Sequence, residues 1–198
     1  MKVRRLFKWL EDRILAVLLL FLLAPLMAAI ALAIRLESPG PVLFQQKRFG
    51  YGGREFLLYK FRTLQHAPET PDTPQVTRGD PRVTRIGRFL RRTSLDELPQ
   101  LFNVVMGSMS LIGPRPHAIP HGRRFAPVIQ DYPARHRIKP GITGWAQIHG
   151  YRGETATVEA MRKRIEFDLY YIENWSPILD ITILLRSVAL CFHDKHAY

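Results

Sequence analysis

The chain has almost no cysteine: one residue in 198, Cys191. That excludes an internal disulfide framework and any cysteine-based zinc cluster. Acidic residues are also scarce, 17 against 29 Lys and Arg, for a formal charge of +12. Such a surplus points to a polyanionic partner, whether nucleic acid, anionic lipid or a phosphorylated substrate. The sequence lacks a Walker A loop, a GxGxxG following a strand, and HExxH. Its seven histidines have no ligand spacing, and His117, His121 and His136 read as structural or surface residues. No RNA-binding signature, zinc-finger spacing or interleaving of aromatic with basic residues supports a nucleic-acid surface. No internal repeat is visible. An apolar content of 46% excludes a disordered basic tail.

What the chain does have is a 21-residue run without charge, residues 14–34. As one helix at about 1.5 Å per residue, it matches the ~30 Å hydrocarbon layer. It is long for a signal-peptide core, and no small-x-small cleavage pattern follows it. Pro25 near its middle removes a backbone hydrogen bond and kinks a helix. Lys2, Arg4, Arg5, Lys8 and Arg13 precede the run; Arg35, Lys47, Arg48 and Arg54 follow it. A spanning segment leaves one flank poor in Lys and Arg, whereas here both are basic. This favours a helix broken at Pro25 that enters one leaflet and returns, with both ends cytoplasmic. A kinked ordinary span is the alternative.

Beyond the run, Ser38-Pro39-Gly40-Pro41 is a turn signal. Residues 42–49 and 55–63 read as strands joined by Gly50-Tyr51-Gly52-Gly53, a hairpin. Alternation puts Leu57, Tyr59 and Phe61 on one face and Phe56, Leu58, Lys60 and Arg62 on the other. Lys60 and Arg62 then project together, either as a solvated strand end or as a phosphate-facing pair. Residues 65–77 read as a loop. Residues 78–92 carry arginines at helical spacing, a pattern of solvated or headgroup-facing surfaces. Val158, Met161, Ile165, Leu169 and Ile172 mark an amphipathic helix. Ser176-Pro177 then looks like the cap and first position of another. The apolar stretch 178–192 is too short to span, so it is core or interfacial.

Three stretches carry candidate chemistry. Ser94-Leu95-Asp96-Glu97 fits a capping box, in which both acids merely suit a helix start. The same position also suits a nucleophilic or metal-binding carboxylate, since a helix N-terminus keeps an acid ionised and attracts phosphate. Successive helical residues diverge by about 100°, so Asp96 and Glu97 would do different jobs. In Gly113-Pro114-Arg115-Pro116, two prolines stiffen Arg115, which then loses little entropy on gripping a phosphate. In Pro140-Gly141-Ile142-Thr143-Gly144-Trp145, the glycines allow close backbone approach to a ligand, and Trp145 is placed to pack a base or close a pocket.

Together these stretches, with Leu36-Glu37-Ser38-Pro39-Gly40-Pro41, Tyr59-Lys60-Phe61-Arg62-Thr63 and Leu98-Pro99-Gln100-Leu101-Phe102-Asn103, resemble the bacterial sugar transferases, the monotopic phosphoglycosyl transferases. The resemblance runs from about Ile14 to the C-terminus. Gly150-Tyr151-Arg152-Gly153-Glu154-Thr155 resembles the branch that moves hexose-1-phosphate, often glucose-1-phosphate. The resemblance implies transfer of a phosphosugar from a UDP-sugar to polyprenyl (undecaprenyl) phosphate, at the cytoplasmic face of the bacterial inner membrane. It implies Asp96 as nucleophile, Glu97 with Asp96 as holders of Mg2+, and Arg91 and Arg115 as phosphate grips. Lys60, Arg62 and the Pro140–Gly144 stretch, including Ile142 and Thr143, would line the nucleotide side.

The expected fold is helix-rich α+β. Residues 1–36 form a membrane-associated re-entrant helix, and residues 37–198 a cytoplasmic catalytic domain with C-terminal interfacial helices. Ala24 stands where relatives often have Ser, Ser108 where they have Asp, and His149 where they have Asn. Many hexose-type relatives also carry N-terminal spanning helices and an extra domain, so the sequence reads as a minimal form or a fragment. The competing reading is a non-catalytic, basic membrane-surface module whose acids are only caps.

Overall fold

The computed structural model describes residues 2–65, 79–151, 153 and 157–193. It opens with one helix, α1, Lys2–Glu37. An antiparallel hairpin follows, β1 (Leu43–Phe49) and β2 (Glu55–Phe61), paired from Leu43 with Phe61 to Phe49 with Glu55. The connecting residues 50–54 form the expected turn, with Gly52 and Gly53 at positive φ. Next come α2 (Arg85–Thr93), a 3-10 turn at Leu95–Glu97, and α3 (Gln100–Met106). Strand β3 (Ser110–Ile112) and the later β4 (Gly141–Thr143) pair in parallel. Between them lie α4 (Ile119–Phe125) and a 3-10 segment, Tyr132–Arg137. The chain closes with α5 (Trp145–Ile148), α6 (Val158–Asn174) and α7 (Pro177–His193). The architecture is helix-rich α+β, as expected.

Residues 14–34 of α1 are apolar all round, and α1 is the one described helix long and apolar enough to cross a membrane by length and composition. It runs through Pro25 without interruption. The expected break into two helices is not among the observed features. Ala24 and Pro25 lie on its exposed face, where a missing hydrogen bond opens no gap in the core. The inward face packs along its length. Ala16 joins a core with Leu58, Leu101, Val104, Met109, Leu111, Ile112, Tyr171 and Ile183. Past Pro25, Met27, Ile30 and Ile34 pack with Phe61 and Leu90. A third cluster joins Phe125, Ile129 and Tyr132 to Met161 and Ile165 of α6. The outward face leaves Ile14, Leu18, Phe21 and Leu22 exposed, Phe21 at 83%.

The inward stripe of α6 differs from the expected one. Met161, Arg164, Ile165, Asp168 and Tyr171 are buried, while Leu169 and Ile172 are half-buried. The helix turns a polar pair inward because Asp168 finds Arg135 there, 2.7 Å away. Ser176 and Pro177 do open α7: the Ser176 hydroxyl accepts from the Leu179 N–H at 3.1 Å. One side of α7 is exposed and apolar, through Ile178, Ile181, Leu185 and Val188. The expected loop at residues 65–77 lies outside the described residues apart from Gln65, and so do Arg152, Glu154 and Thr155 of the Gly150–Thr155 motif.

Candidate active site

The candidate site is built where α2 gives way to α3. Thr84 starts α2, its hydroxyl accepting from the Gly87 N–H at 2.9 Å. The carboxylate of Glu37, at the end of α1, accepts from the Ile86 N–H. At Gly87 the helix presses on the strand end: a Cβ there would sit 2.1 Å from the Thr63 carbonyl oxygen. This contact turns Arg91 inward, and its Nε donates to the Thr63 hydroxyl at 2.9 Å. Arg85, Arg88 and Arg92 are exposed, so of the arginines on α2 only Arg91 faces the site.

Ser94 ends α2 in the left-handed region, φ 62°. Its side chain makes no capping hydrogen bond. The expected capping box is therefore absent. A left-handed residue reverses the chain and leaves no helical frame for the box. The bend puts Asp96 and Glu97 on the 3-10 turn, both buried, at 8% and 7% exposure. Asn103 of α3 then locks this segment to β2. Its side chain accepts from the Tyr59 N–H at 3.0 Å and donates to the Leu57 carbonyl at 2.7 Å. Ser108 supports Asn103 in turn, with its hydroxyl 3.2 Å from the Asn103 carbonyl.

The two acids have unequal partners. Glu97 Oε1 accepts from Lys60 Nζ at 2.9 Å and from an Arg115 nitrogen at 2.7 Å. Its Oε2 takes the second Arg115 nitrogen at 3.2 Å, so the pair is bidentate. Asp96 makes no hydrogen bond among the described residues; its nearest cation is Lys60, at 3.8 Å. Burial raises the Asp96 pKa, and the Glu97 charge adds to that. Lys60, Arg91 and Arg115 pull it back down. The result is an under-partnered carboxylate inside a ring of three cations.

Arg115 is held by a scaffold that periodicity did not reveal, the parallel pair β3–β4. The Gly113 N–H donates to the Thr143 carbonyl at 2.9 Å, and the Gly141 N–H to the Pro114 carbonyl at 3.0 Å. A Cβ on Gly141 would sit 2.1 Å from Gly113 N, and one on Gly144 2.2 Å from Gly113 O. The glycines of the Pro140–Gly144 stretch thus allow close backbone-to-backbone packing against Gly113. The Ile142 carbonyl accepts from Gln147 Nε2 at 3.0 Å, and the Thr143 hydroxyl lies 2.6 Å from that of Ser187. Pro140 alone reaches a narrow cleft beside Arg115, bordered also by Phe49, Pro116 and His136. Trp145 stacks on Tyr170 and packs against His149.

Arg62 also departs from expectation. Strand β2 ends at Phe61, so alternation no longer ties Arg62 to Lys60. Its buried guanidinium donates to the Ser38 carbonyl at 2.8 Å and to that of Pro39. There it clamps the end of α1 and stands apart from Asp96 and Glu97. Lys60, Arg91 and Arg115 are brought together with the two acids; Arg62 and the Pro140–Gly144 backbone are not.

A family model described as bacterial sugar transferase matches residues 3–194. The chain belongs to the bacterial sugar transferase family. It is 52% identical over 196 residues to a protein of Escherichia coli named UDP-glucose:undecaprenyl-phosphate glucose-1-phosphate transferase, covering 99% of this chain and 42% of that one. Relatives of the same name are 52% identical in Xanthomonas campestris, across 96% of this chain and 40% of theirs, and 51% in Caulobacter vibrioides, across 94% and 70%. The chain thus spans about two fifths of the length of the first two relatives.

This member of the family also has supporting residues that the sequence did not single out. Arg135 donates to the Arg115 carbonyl at 2.7 Å and to Asp168 at 2.7 Å, fixing the loop that carries Arg115. Arg164 is buried beside His117 and donates to the Gly153 carbonyl. The available signal was charge at the i, i+4 positions 164 and 168, interrupting an apolar helix face. No group of three or more His, Cys, Asp or Glu is arranged for a metal among the described residues.

Proposed function

We propose that the chain transfers glucose-1-phosphate from UDP-glucose to undecaprenyl phosphate, with Asp96 as covalent nucleophile. The observation that carries this reading is the asymmetry of the dyad: Glu97 is gripped by Lys60 and Arg115, while Asp96 has no hydrogen bond among the described residues. Fixed cations beside an under-partnered acid suit attack on an anion, because donor, acceptor and carboxylate repel one another until cancelled. An Asp96 oxygen attacks the β-phosphorus. The bond from that phosphorus to the bridging oxygen breaks, and UMP leaves with the oxygen. An oxygen of the lipid phosphate then attacks the same phosphorus, and the Asp96 carboxylate is released. Lys60, Arg91 and Arg115 hold the phosphoryl oxygens throughout.

Mg2+ fits this donor set. It binds through one or two carboxylates plus substrate phosphates and keeps water ligands, so a three-acid cage is not required. Glu97 and Asp96 would hold it, and when bound it offsets charge on the diphosphate.

The relatives' printed names support the choice of sugar and lipid. The membrane reading rests on the apolar outer face of α1 and the exposed stripe of α7. Both halves of α1 pack on the same domain. A re-entrant or interface-lying helix keeps both ends on the cytoplasmic face of the inner membrane; a straight span would tear one half away. UMP release in detergent or nanodiscs tests the activity. UDP-glucose with undecaprenyl phosphate should release UMP and Asp96→Asn should not. Full turnover by Asp96→Asn would refute the nucleophile, and no release by the wild type would favour the non-catalytic membrane module.

A further inference from the structure

Helix α1 presents a problem of register. Its half-buried inward positions Leu15, Leu19, Leu20 and Leu23 resemble its exposed Leu18 and Leu22, so apolar contact alone does not fix how far it slides or rotates against the domain. Near its N-terminal end stands a cluster of charges that does. Asp12 and Asp180 are 6% and 1% exposed. Lys8 Nζ lies 3.0 Å from Asp12 Oδ1 and 2.7 Å from Asp180 Oδ2. Asp12 Oδ1 also accepts from the Ser110 hydroxyl at 3.0 Å and the Leu111 N–H at 3.1 Å. Asp180 accepts from the Tyr171 hydroxyl at 2.7 Å and the Trp175 indole N–H at 2.9 Å. One half-buried lysine thus ties α1 to α7, and one buried aspartate ties α1 to β3.

Strand β3 is the element that delivers Arg115. It ends at Ile112, three residues before that arginine. Buried ion pairs add little net stability over apolar packing, and their best-attested use is to specify register. We infer that Lys8, Asp12 and Asp180 form a positioning latch that sets the register of the membrane helix against the Arg115 loop, and so the depth at which Asp96 meets the lipid acceptor. The inference rests on the proposed function and adds a prediction: the two half-reactions respond differently to the latch. The donor is soluble and reaches Asp96 whatever the depth. The acceptor phosphate is confined to the headgroup layer. A slip of one helical turn, about 5 Å, would move the site away from it.

The test uses the full chain in nanodiscs, with Asp12→Asn and the milder Ser110→Ala as variants and Lys8→Arg as the conservative control. UMP release on UDP-glucose alone reads the donor step, and the KM for undecaprenyl phosphate reads the acceptor step. Asp12→Asn should raise the acceptor KM about tenfold, leaving the donor step within about twofold. Ser110→Ala should do the same more weakly, and Lys8→Arg should stay near wild type. Equal loss of both steps, or no change in either, overturns the latch. A second readout needs no turnover: a spin label at Leu18→Cys in a Cys191→Ser background reports its depth. That depth should shift in Asp12→Asn, and an unchanged depth refutes the latch even if the chain proves to have no transferase activity. Absence of UMP from the wild type, with the depth shift intact, counts against the proposed function alone.

Discussion

Asp180 and Asp96 are both buried aspartates facing a lysine, yet their surroundings are opposite. Asp180 has both oxygens engaged, by Lys8, Tyr171 and Trp175. Asp96 has Lys60 at 3.8 Å and no hydrogen bond among the described residues. A buried carboxylate without full pairing is costly to the fold. Where every lone pair is used, the acid joins elements together. Where the acid is left short of hydrogen bonds, its oxygen lone pairs stay available to attack phosphorus. The three cations around Asp96 and Glu97 make sense in those terms, since they offset the repulsion between that carboxylate and an incoming diphosphate.

The largest effect that would break the comparison is at Asp96. Asp96→Asn should cut turnover by at least about 10³-fold in a UMP-release assay, as loss of a covalent nucleophile does. Its effect on stability should have the opposite sign. Burial raises the native pKa of Asp96 above its unfolded value, so the native state binds that proton more tightly. The resulting penalty is absent below the unfolded pKa and complete above the native one. Asp96→Asn should therefore raise the melting temperature at neutral pH and change it little near pH 3. A loss of stability at neutral pH would contradict the reading of Asp96 as under-partnered.

Asp180→Ala should do the reverse. It leaves Lys8, Tyr171 and Trp175 without their shared acceptor, and breaking a buried pair costs about 3–5 kcal/mol. Denaturant midpoints in detergent measure it, and a change below about 1 kcal/mol would show that Asp180 is not structural. Arg115→Lys keeps the charge but loses the fork on Glu97. It should lower kcat/KM about 10–100-fold with little change in melting temperature. The smallest effect concerns pH. Lys60 lowers the Asp96 pKa, so Lys60→Met should move the acid limb of the activity profile to higher pH. A shift to lower pH would show that Lys60 does not act on Asp96.

The hairpin was legible because its alternation and its glycine turn agree, and the register followed from the turn. The acids at 96 and 97 and the arginine at 115 were legible as residues, through resemblance and through the stiffness two prolines confer. Their mutual distances were not. Glu97 meets Arg115 only because β3 and β4 pair in parallel across 28 intervening residues, and three-residue strands carry no readable period. Ser94 misled because its sequence context matches a cap while its backbone turns left-handed. Arg62 misled because alternation was extended one residue past the end of β2. Asp12 sits just before a hydrophobic run and reads as a flanking charge, although the folded chain buries it against β3.

The most direct test of the central claim is a mass measurement on donor alone. Purified chain in nanodiscs with UDP-glucose and Mg2+, quenched rapidly and digested, should yield the peptide containing Asp96 heavier by one hexose phosphate. Undecaprenyl phosphate should remove the adduct. An unmodified Asp96 peptide from enzyme that releases UMP when the lipid is present would contradict the covalent account.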